Sequence, residues 1–224
     1  EPATSVCPLN YKKCNENCLC APYTKHKEKN NFLKNVQKLC NKNNIVFVLD
    51  EMITGFRWHL KGAQHIYDVR PDISTFGKAM ANGFSVSCVA GKREIMQHGS
   101  IEFENRERTF LLSTTHGAEM SSLAAFIETI NFLKENDVIN YMWSYGDKLK
   151  NMMNNISYDL GIDDKFIVSG PSCSPVYDTK NNDLESSLAF RTLFSQEMIN
   201  NKVLMPFITL CYRHQKKEFN ITEK

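Results

Sequence analysis

The feature that most constrains the fold is the stretch IVFVLDE, residues 45–51, in which five apolar residues run directly into two carboxylates. Because these apolar residues do not alternate with polar ones, we predict a strand covered on both faces, as in the parallel sheet of an α/β layer. Helical spacing over residues 32–40 before it and the break at Thr54-Gly55 after it fit this reading. The stretch therefore predicts an α/β fold with Asp50 at the carboxyl end of a buried strand.

The remaining pattern predicts two domains, residues 1–135 and 136–224. In the first, further strands are expected at ISTFGK, SVSCVAGK and TFLLST, followed by a helix that begins near Gly117. The face of that helix expected to be buried comprises Met120, Leu123, Ala124, Ile127 and Ile130. The second domain reads as α+β, with a helix after Asn136-Asp137, strands at KFIVSG and SPVYD, a helix over 184–201, and strands at VLMPF and ITLCYRH.

Composition argues against several classes of function. The net charge of +2 gives no reason to expect binding to nucleic acid or to a membrane surface, and the apolar runs are too short to span a bilayer. Cys14, Cys18 and Cys20, with His26 nearby, form a loose cluster that offers two readings, a zinc site or incidental thiols of a reduced loop. The spacing favours incidental thiols, so we predict no metal and a cytoplasmic protein.

Two charged residues carry the chemical hypothesis. Asp50 at a strand end can cap a loop, or it can face a ligand in the crevice beyond the sheet, whereas Glu51 points to the other side and is expected to be structural. Lys78 alone reads as a solvated surface charge, but it too follows a predicted strand. An anion and an amine at one crevice suit pyridoxal 5'-phosphate (PLP), which needs a carboxylate for its pyridinium nitrogen and a lysine for a Schiff base.

Candidate phosphate-binding residues lie further along the chain. The hydroxyls of Ser113, Thr114 and Thr115 stand just before the helix predicted near Gly117, where free backbone N–H groups and the helix dipole favour an anion. An ordinary Ser/Thr helix cap explains these residues equally well. His116 is expected to be a packed or hydrogen-bonded residue.

The segments FVLDEMITGFR, PDISTFGKAMANGF and STTHGAE, in this order, resemble the class III aminotransferases of PLP fold type I, and among them glutamate-1-semialdehyde aminomutase. The likeness runs from about Asn31 to about His214. It implies part of a large PLP-binding domain over 1–135, a mostly parallel sheet with helices on both faces, and a smaller α+β domain over 136–224. Relative to that family the chain looks like a C-terminal fragment that lacks the half before Glu1 and stops inside its last helix.

The resemblance also implies roles for individual residues. Asp50 would pair with the pyridinium nitrogen, Met52 would pack beneath the ring, and Lys78 would form the internal aldimine and later serve as the base. Thr115 matches the threonine that reaches the cofactor phosphate of the neighbouring subunit, which implies a homodimer with shared sites. The expected substrates are small amino and carbonyl compounds.

Other features leave alternatives open. Arg57 fits either a substrate carboxylate or a structural ion pair, and Phe84-Ser85 stands where the family usually has an aliphatic residue and proline. The motifs do not separate an aminomutase from an aminotransferase with two substrates. The rival hypothesis is a degenerate, non-catalytic family member that acts through its dimer surface.

Overall fold

The computed structural model describes residues 32–100 and 119–224, together with the isolated positions 2, 102, 107 and 117. The described residues form two compact units, one ending at Asn136 and the other beginning at Asp137. No helix among the described residues is long and apolar enough to cross a membrane.

The first unit contains a small sheet with helices. Helix α1 (Phe32–Lys42), strand β1 (Val48–Asp50), helix α2 (Ala63–Tyr67) and strand β2 (Ile73–Phe76) come first. A 3-10 turn (Lys78–Met80), strand β3 (Cys88–Gly91), helix α3 (Arg93–Met96) with a 3-10 turn (Gln97–Gly99), and helix α4 (Met120–Glu135) follow. The predicted helix before the first strand and the short helix after the Thr54-Gly55 break are confirmed. The strand predicted at TFLLST lies outside the described residues.

Strands of the first unit are ordered β1-β2-β3, with β1 and β2 parallel and β2 and β3 antiparallel. The expectation that the first strand is covered on both faces is wrong for the described structure. Leu49 is 1% exposed, but its neighbour Val48 is 51% exposed, so the strand alternates between a covered and an open face. A continuous apolar run fits either arrangement, because period-2 alternation is hidden when both faces carry apolar side chains.

Helix α4 turns a different face to its unit from the one we predicted. Met120 and Ile127 of the predicted face are 79% and 57% exposed, whereas Ser122 is 2% exposed and Phe126 is half-buried. Apolar residues lie almost all round this helix, so their spacing does not single out one face.

The second unit packs one long helix against a hairpin-like pair of strands. Its elements are α5 (Val138–Asp159), β4 (Phe166–Ser169), β5 (Val176–Thr179), α6 (Leu188–Asn200) and α7 (Lys216–Glu223). Strands β4 and β5 are antiparallel, and their inward residues Val168 and Tyr177 are 0% and 2% exposed. The predicted strands at KFIVSG and SPVYD and the helix within 184–201 are confirmed, with Ser187 capping α6 by accepting a hydrogen bond from the N–H of Phe190.

The strands predicted at VLMPF and ITLCYRH are wrong, because residues 203–214 form no strand or helix. Pro206 lacks the N–H that a ladder needs. Side chains hold the segment instead: the hydroxyl of Tyr177 donates to the carbonyl of Pro206 at 3.0 Å, and Nη2 of Arg191 donates to the same carbonyl at 2.9 Å. Met205, Ile208 and Leu210 still enter the core, so the apolar pattern predicted burial correctly and backbone pairing wrongly.

Candidate functional site

Asp50 ends β1 on the open face of the sheet. Its Oδ1 accepts hydrogen bonds from the N–H of Met52 at 2.9 Å and from the hydroxyl of Thr75 at 3.0 Å. The Met52 N–H has the largest effect and lowers the pKa of Asp50 below its usual value. Burial, the next largest effect, opposes this, and the Thr75 hydroxyl and the positive charge of Lys78 lower the pKa further. Asp50 is therefore held as an exposed anion, able to meet a cationic group.

The neighbouring Glu51 has the structural role that the sequence suggested. It is 0% exposed, and its carboxylate accepts hydrogen bonds from the hydroxyl of Thr54 and from the N–H groups of Ala63 and Gln64, the last two at 2.8 Å. Gly62 makes room for it, since a Cβ at that position would lie 2.5 Å from Oε1. Glu51 thus anchors the loop that leaves the strand and leaves Asp50 as the carboxylate that faces outward.

Lys78 begins the 3-10 turn that follows β2. Its side chain is exposed, and its backbone has φ of 44°, the left-handed region that residues other than glycine seldom adopt. The turn is closed by the N–H of Met80, which donates to the carbonyl of Gly77 at 2.9 Å. The sequence predicted a strand running as far as Lys78, but the strand ends at Phe76.

Parallel pairing brings the two charged residues to one edge of the sheet. Asp50 is the register partner of Thr75, and the N–H of Glu51 continues the pairing by donating to the carbonyl of Thr75 at 2.9 Å. Lys78 follows three positions after Thr75. Two parallel strands that end side by side thus carry the carboxylate and the amine, and the charge of Lys78 acts on Asp50.

Met52 lies against the backbone that leads to Lys78. A Cβ placed on Gly77 would come within 2.4 Å of the Met52 methyl carbon and 3.0 Å of its sulfur. A side chain at position 77 would therefore require Met52 to move. The side chain lies between the loop after Asp50 and the turn that carries the lysine.

The other predicted site residues have mixed outcomes. Thr115, with Ser113, Thr114 and His116, lies outside the described residues, as do Cys14, Cys18, Cys20 and His26. Arg57 is half-buried, and its N–H donates to the carbonyl of Thr54 at 3.3 Å. Phe84 is 55% exposed in the loop that follows the Lys78 turn. Within the described parts of the chain, no three His, Cys, Asp or Glu side chains are grouped so as to hold a metal ion.

Sequence reasoning missed Thr75, the side chain that bonds Asp50. Paired residues of adjacent strands point to the same face, so Thr75 lies beside Asp50, and Val89 of β3 lies beside Thr75. The hydroxyl in ISTF was a visible signal, but only the register assigns it to the carboxylate.

A second candidate binding site is a cavity in the second unit. It has a volume of about 500 Å³ and is lined largely by apolar side chains together with Tyr145, His214 and Glu218. Burial, followed by the nearby Tyr141, raises the pKa of Tyr145 to about 12, so this phenol stays neutral. We give priority to the Asp50–Lys78 edge, because it joins a held anion to an exposed amine.

Comparison with known proteins places the chain in a family. Residues 25–164 match the family model described as Aminotransferase class-III. The 3-aminobutyryl-CoA aminotransferase of Cloacimonas acidaminovorans is 30% identical over 85% of this chain and 45% of the relative. The glutamate-1-semialdehyde 2,1-aminomutase of Nitrosopumilus maritimus is 30% identical over 86% of this chain and 47% of the relative.

Solved structures share the fold at lower identity. The FumI protein of Sphingopyxis sp. MTA144, in its PLP internal aldimine form, superposes with a TM-score of 0.73 at 20% identity over 86% of this chain and 44% of its own. An omega-transaminase from Sphaerobacter thermophilus gives a TM-score of 0.68 at 19% identity over 86% of this chain and 45% of its own.

The chain spans about half the length of the curated relatives it matches. The family match covers more than half of the chain itself, and the α/β fold is that of the fold type I transaminases. The chain belongs to the class III aminotransferase family, a family of PLP-dependent enzymes.

Proposed function

We propose that the protein transfers an amino group with PLP, as an aminotransferase or as an aminomutase similar to glutamate-1-semialdehyde 2,1-aminomutase. The observation that carries the proposal is the parallel pairing that ends with Asp50 on one strand and leads to Lys78 on the next. Relatives with both activities support the choice. The two activities differ in whether donor and acceptor are separate molecules, and the proposal covers both.

The described residues fit the cofactor. Asp50 is an exposed acceptor whose lowered pKa keeps it anionic, which suits a protonated ring nitrogen. The row Asp50–Thr75–Val89 offers an open sheet face, and Met52 adds an apolar surface beside it. When bound, PLP supplies an electron-withdrawing ring that stabilises negative charge on the substrate carbon.

Lys78 is proposed to hold the cofactor covalently and then to move the proton. Its exposed Nζ would be the amine that holds the aldehyde group of the cofactor until a substrate amine takes its place. Once free, the amine of Lys78 would act as the base that takes a proton from the substrate carbon and as the acid that gives it back. The exposed position of the side chain at the head of its turn supports both roles.

Asp50 is proposed to keep a proton on the ring nitrogen throughout. Its two hydrogen-bond donors, Met52 and Thr75, fix the carboxylate without neutralising it. Met52 is proposed to pack against the ring, and Thr115 to bind the phosphate of the partner subunit's cofactor.

The remaining parts of the proposal concern setting and assembly. We place the enzyme in the cytoplasm, with small amino and carbonyl compounds as substrates. We also propose a homodimer, supported by the exposed apolar stripe of α4 that includes Met120 and Ile127. Sedimentation of the chain as a monomer at micromolar concentration would contradict this assembly.

The function is tested by reacting the PLP-loaded chain with a panel of amino donors and following conversion of the cofactor to its amine form by absorbance. We expect Asp50→Asn to slow conversion on the order of 100-fold, because the ring nitrogen loses the anion that keeps it protonated. Asp68→Asn is the matched control, since Asp68 is an exposed aspartate of the same unit. If no donor converts the cofactor on the unmodified chain, the proposal fails and a non-catalytic family member is favoured.

A further inference from the structure

Two residues near the proposed site have backbones that are unusual for their side chains. Phe56 has φ of 58° and Lys78 has φ of 44°, both in the left-handed region. A bulky side chain there is an outlier that the surrounding structure must hold in place. The contacts of Phe56 and Lys78 therefore indicate what holds them.

Phe56 contacts two other aromatic rings, and we call Phe56, Phe76 and Phe126 the aromatic stack. The centroid of Phe56 lies 5.6 Å from that of Phe76 and 5.7 Å from that of Phe126, with interplanar angles of 51° and 68°. Distances and tilts of this size are typical of favourable aromatic pairs. The stack joins the loop after Asp50, the end of β2 and the helix α4.

Two members of the stack, Phe76 and Phe126, connect to the turn that carries the lysine. Phe76 precedes Lys78 by two positions, so a single residue, Gly77, joins the residue that carries this ring to the turn. Phe126 lies in α4, which also packs on the 3-10 turn Lys78–Met80. The turn is thus held from the strand side by Phe76 and from the helix side by α4.

Glycine at position 55 lets the Phe76 ring enter this arrangement. A Cβ on Gly55 would lie 2.7 Å from Cδ1 of Phe76 and 2.8 Å from the carbonyl oxygen of Glu51. The Phe76 ring therefore lies directly over the backbone of the loop that begins at Glu51. This contact connects the strand end bearing Asp50 to the one bearing Lys78.

We propose that Phe56 and Phe126 are positioning residues for Lys78: their rings hold the left-handed backbone of Lys78, and with it the direction of the amine toward the Asp50 side of the sheet. The inference rests on the proposed function in so far as Lys78 binds the cofactor. Neither ring touches reacting atoms in this account, since both act through Phe76 and the turn. A leucine in place of either ring keeps an apolar contact but loses the ring-to-ring geometry, so the turn relaxes.

The test compares Phe56→Leu, Phe126→Leu, Phe56→Tyr and Phe132→Leu in the full chain. Phe132 is the matched control, because it lies on α4 outside the stack and is 41% exposed. PLP is mixed with each protein, and the rate of its covalent attachment at Lys78 is measured by borohydride quenching and peptide mapping. Hydrogen exchange at the Met80 amide, which closes the turn, is measured without cofactor.

We expect Phe56→Leu and Phe126→Leu to slow attachment at Lys78 at least five-fold and to speed exchange at Met80 at least ten-fold, while exchange in β4 and β5 stays unchanged. Phe56→Tyr restores the ring and should stay within two-fold of the unmodified chain, as should Phe132→Leu. If Phe56 and Phe126 served only the general stability of the fold, the leucine variants would not change exchange selectively at Met80. Phe56→Tyr would then not restore exchange selectively there. If Phe56→Leu fails to fold, Phe126→Leu decides.

The two proposals fail in distinguishable ways. If PLP attaches to Lys78 in the unmodified chain and attaches equally fast in both leucine variants, the positioning role is overturned and the proposed function stands. Absence of attachment at Lys78 in the unmodified chain overturns the proposed function. In that case exchange at Met80 still decides whether the stack holds the turn, and unchanged exchange in both leucine variants overturns that claim.

Discussion

The two small sheets of this protein use strands of nearly equal length in opposite ways. In the first unit β1 leaves Val48 half exposed beside Asp50, so one face of the sheet stays open. In the second unit β4 buries Val168 completely, and Phe166 packs against the rings of Tyr177 and Phe194 at 5.8 and 4.8 Å. The comparison teaches that the closed sheet is built for stability, whereas the open one presents polar groups at its edge.

The sharpest test of this difference replaces valine by threonine in each sheet. Val168→Thr should lower the free energy of unfolding by about 2 kcal/mol, because a hydroxyl is placed in an apolar core. Val48→Thr, the matched change on the open face, should alter it by less than about 0.5 kcal/mol. Urea unfolding of both variants gives the two values, and equal losses would contradict the assignment of one open and one closed sheet.

A smaller effect on stability is expected from the hydrogen bond and the ion pair that Asp72 makes in the open sheet. The carboxylate of Asp72 accepts the N–H of Phe47 at 2.7 Å and pairs with Nζ of Lys92 at 2.6 Å, and Lys92 followed by the Phe47 N–H lowers the pKa of Asp72. Because the folded pKa is lowered, the stabilisation is present above the unfolded value near 3.8 and is lost as the pH falls through the lower folded value.

We therefore expect Asp72→Asn to cost about 1 kcal/mol at pH 7, a modest value because Lys92 is half exposed. The difference from the unmodified chain should stay constant down to pH 5 and shrink below pH 4. Hydrogen exchange in β1 and β2 reports the change, with β4 and β5 as the internal control. A loss of equal size in both sheets, or one that persists at pH 3, would contradict this origin.

Much of the fold could be predicted from the sequence because local patterns determined it. The apolar run into Asp50 predicted a strand with a parallel neighbour, and β1 and β2 are parallel. The face of α4 could not be predicted, because apolar residues lie almost all round the helix and its most buried side chain, Ser122, is polar. Residues 203–214 were misread because apolar spacing reports burial, whereas Pro206 and the side chains of Tyr177 and Arg191 decide the backbone.

The site, like the fold, could be predicted from the sequence only in part. Residue types and their places after strands pointed to Asp50 and Lys78, because an anion and an amine at strand ends have few common uses together. Thr75 and the aromatic stack were beyond the sequence, since they depend on strand register and on where α4 packs. The roles of Asp50, Met52, Lys78 and Thr115 remain predictions.

The central claim is that Asp50 and Lys78 form one cofactor site, and covalent trapping of PLP tests it most directly. The full chain is incubated with PLP, reduced with borohydride, digested and mapped by mass spectrometry, alongside Lys78→Ala and the exposed control Lys61→Ala. We predict that the cofactor is found on Lys78 in the unmodified chain and in Lys61→Ala, and that labelling is lost in Lys78→Ala. Equal labelling of Lys78→Ala, or cofactor spread over other lysines, would contradict the claim.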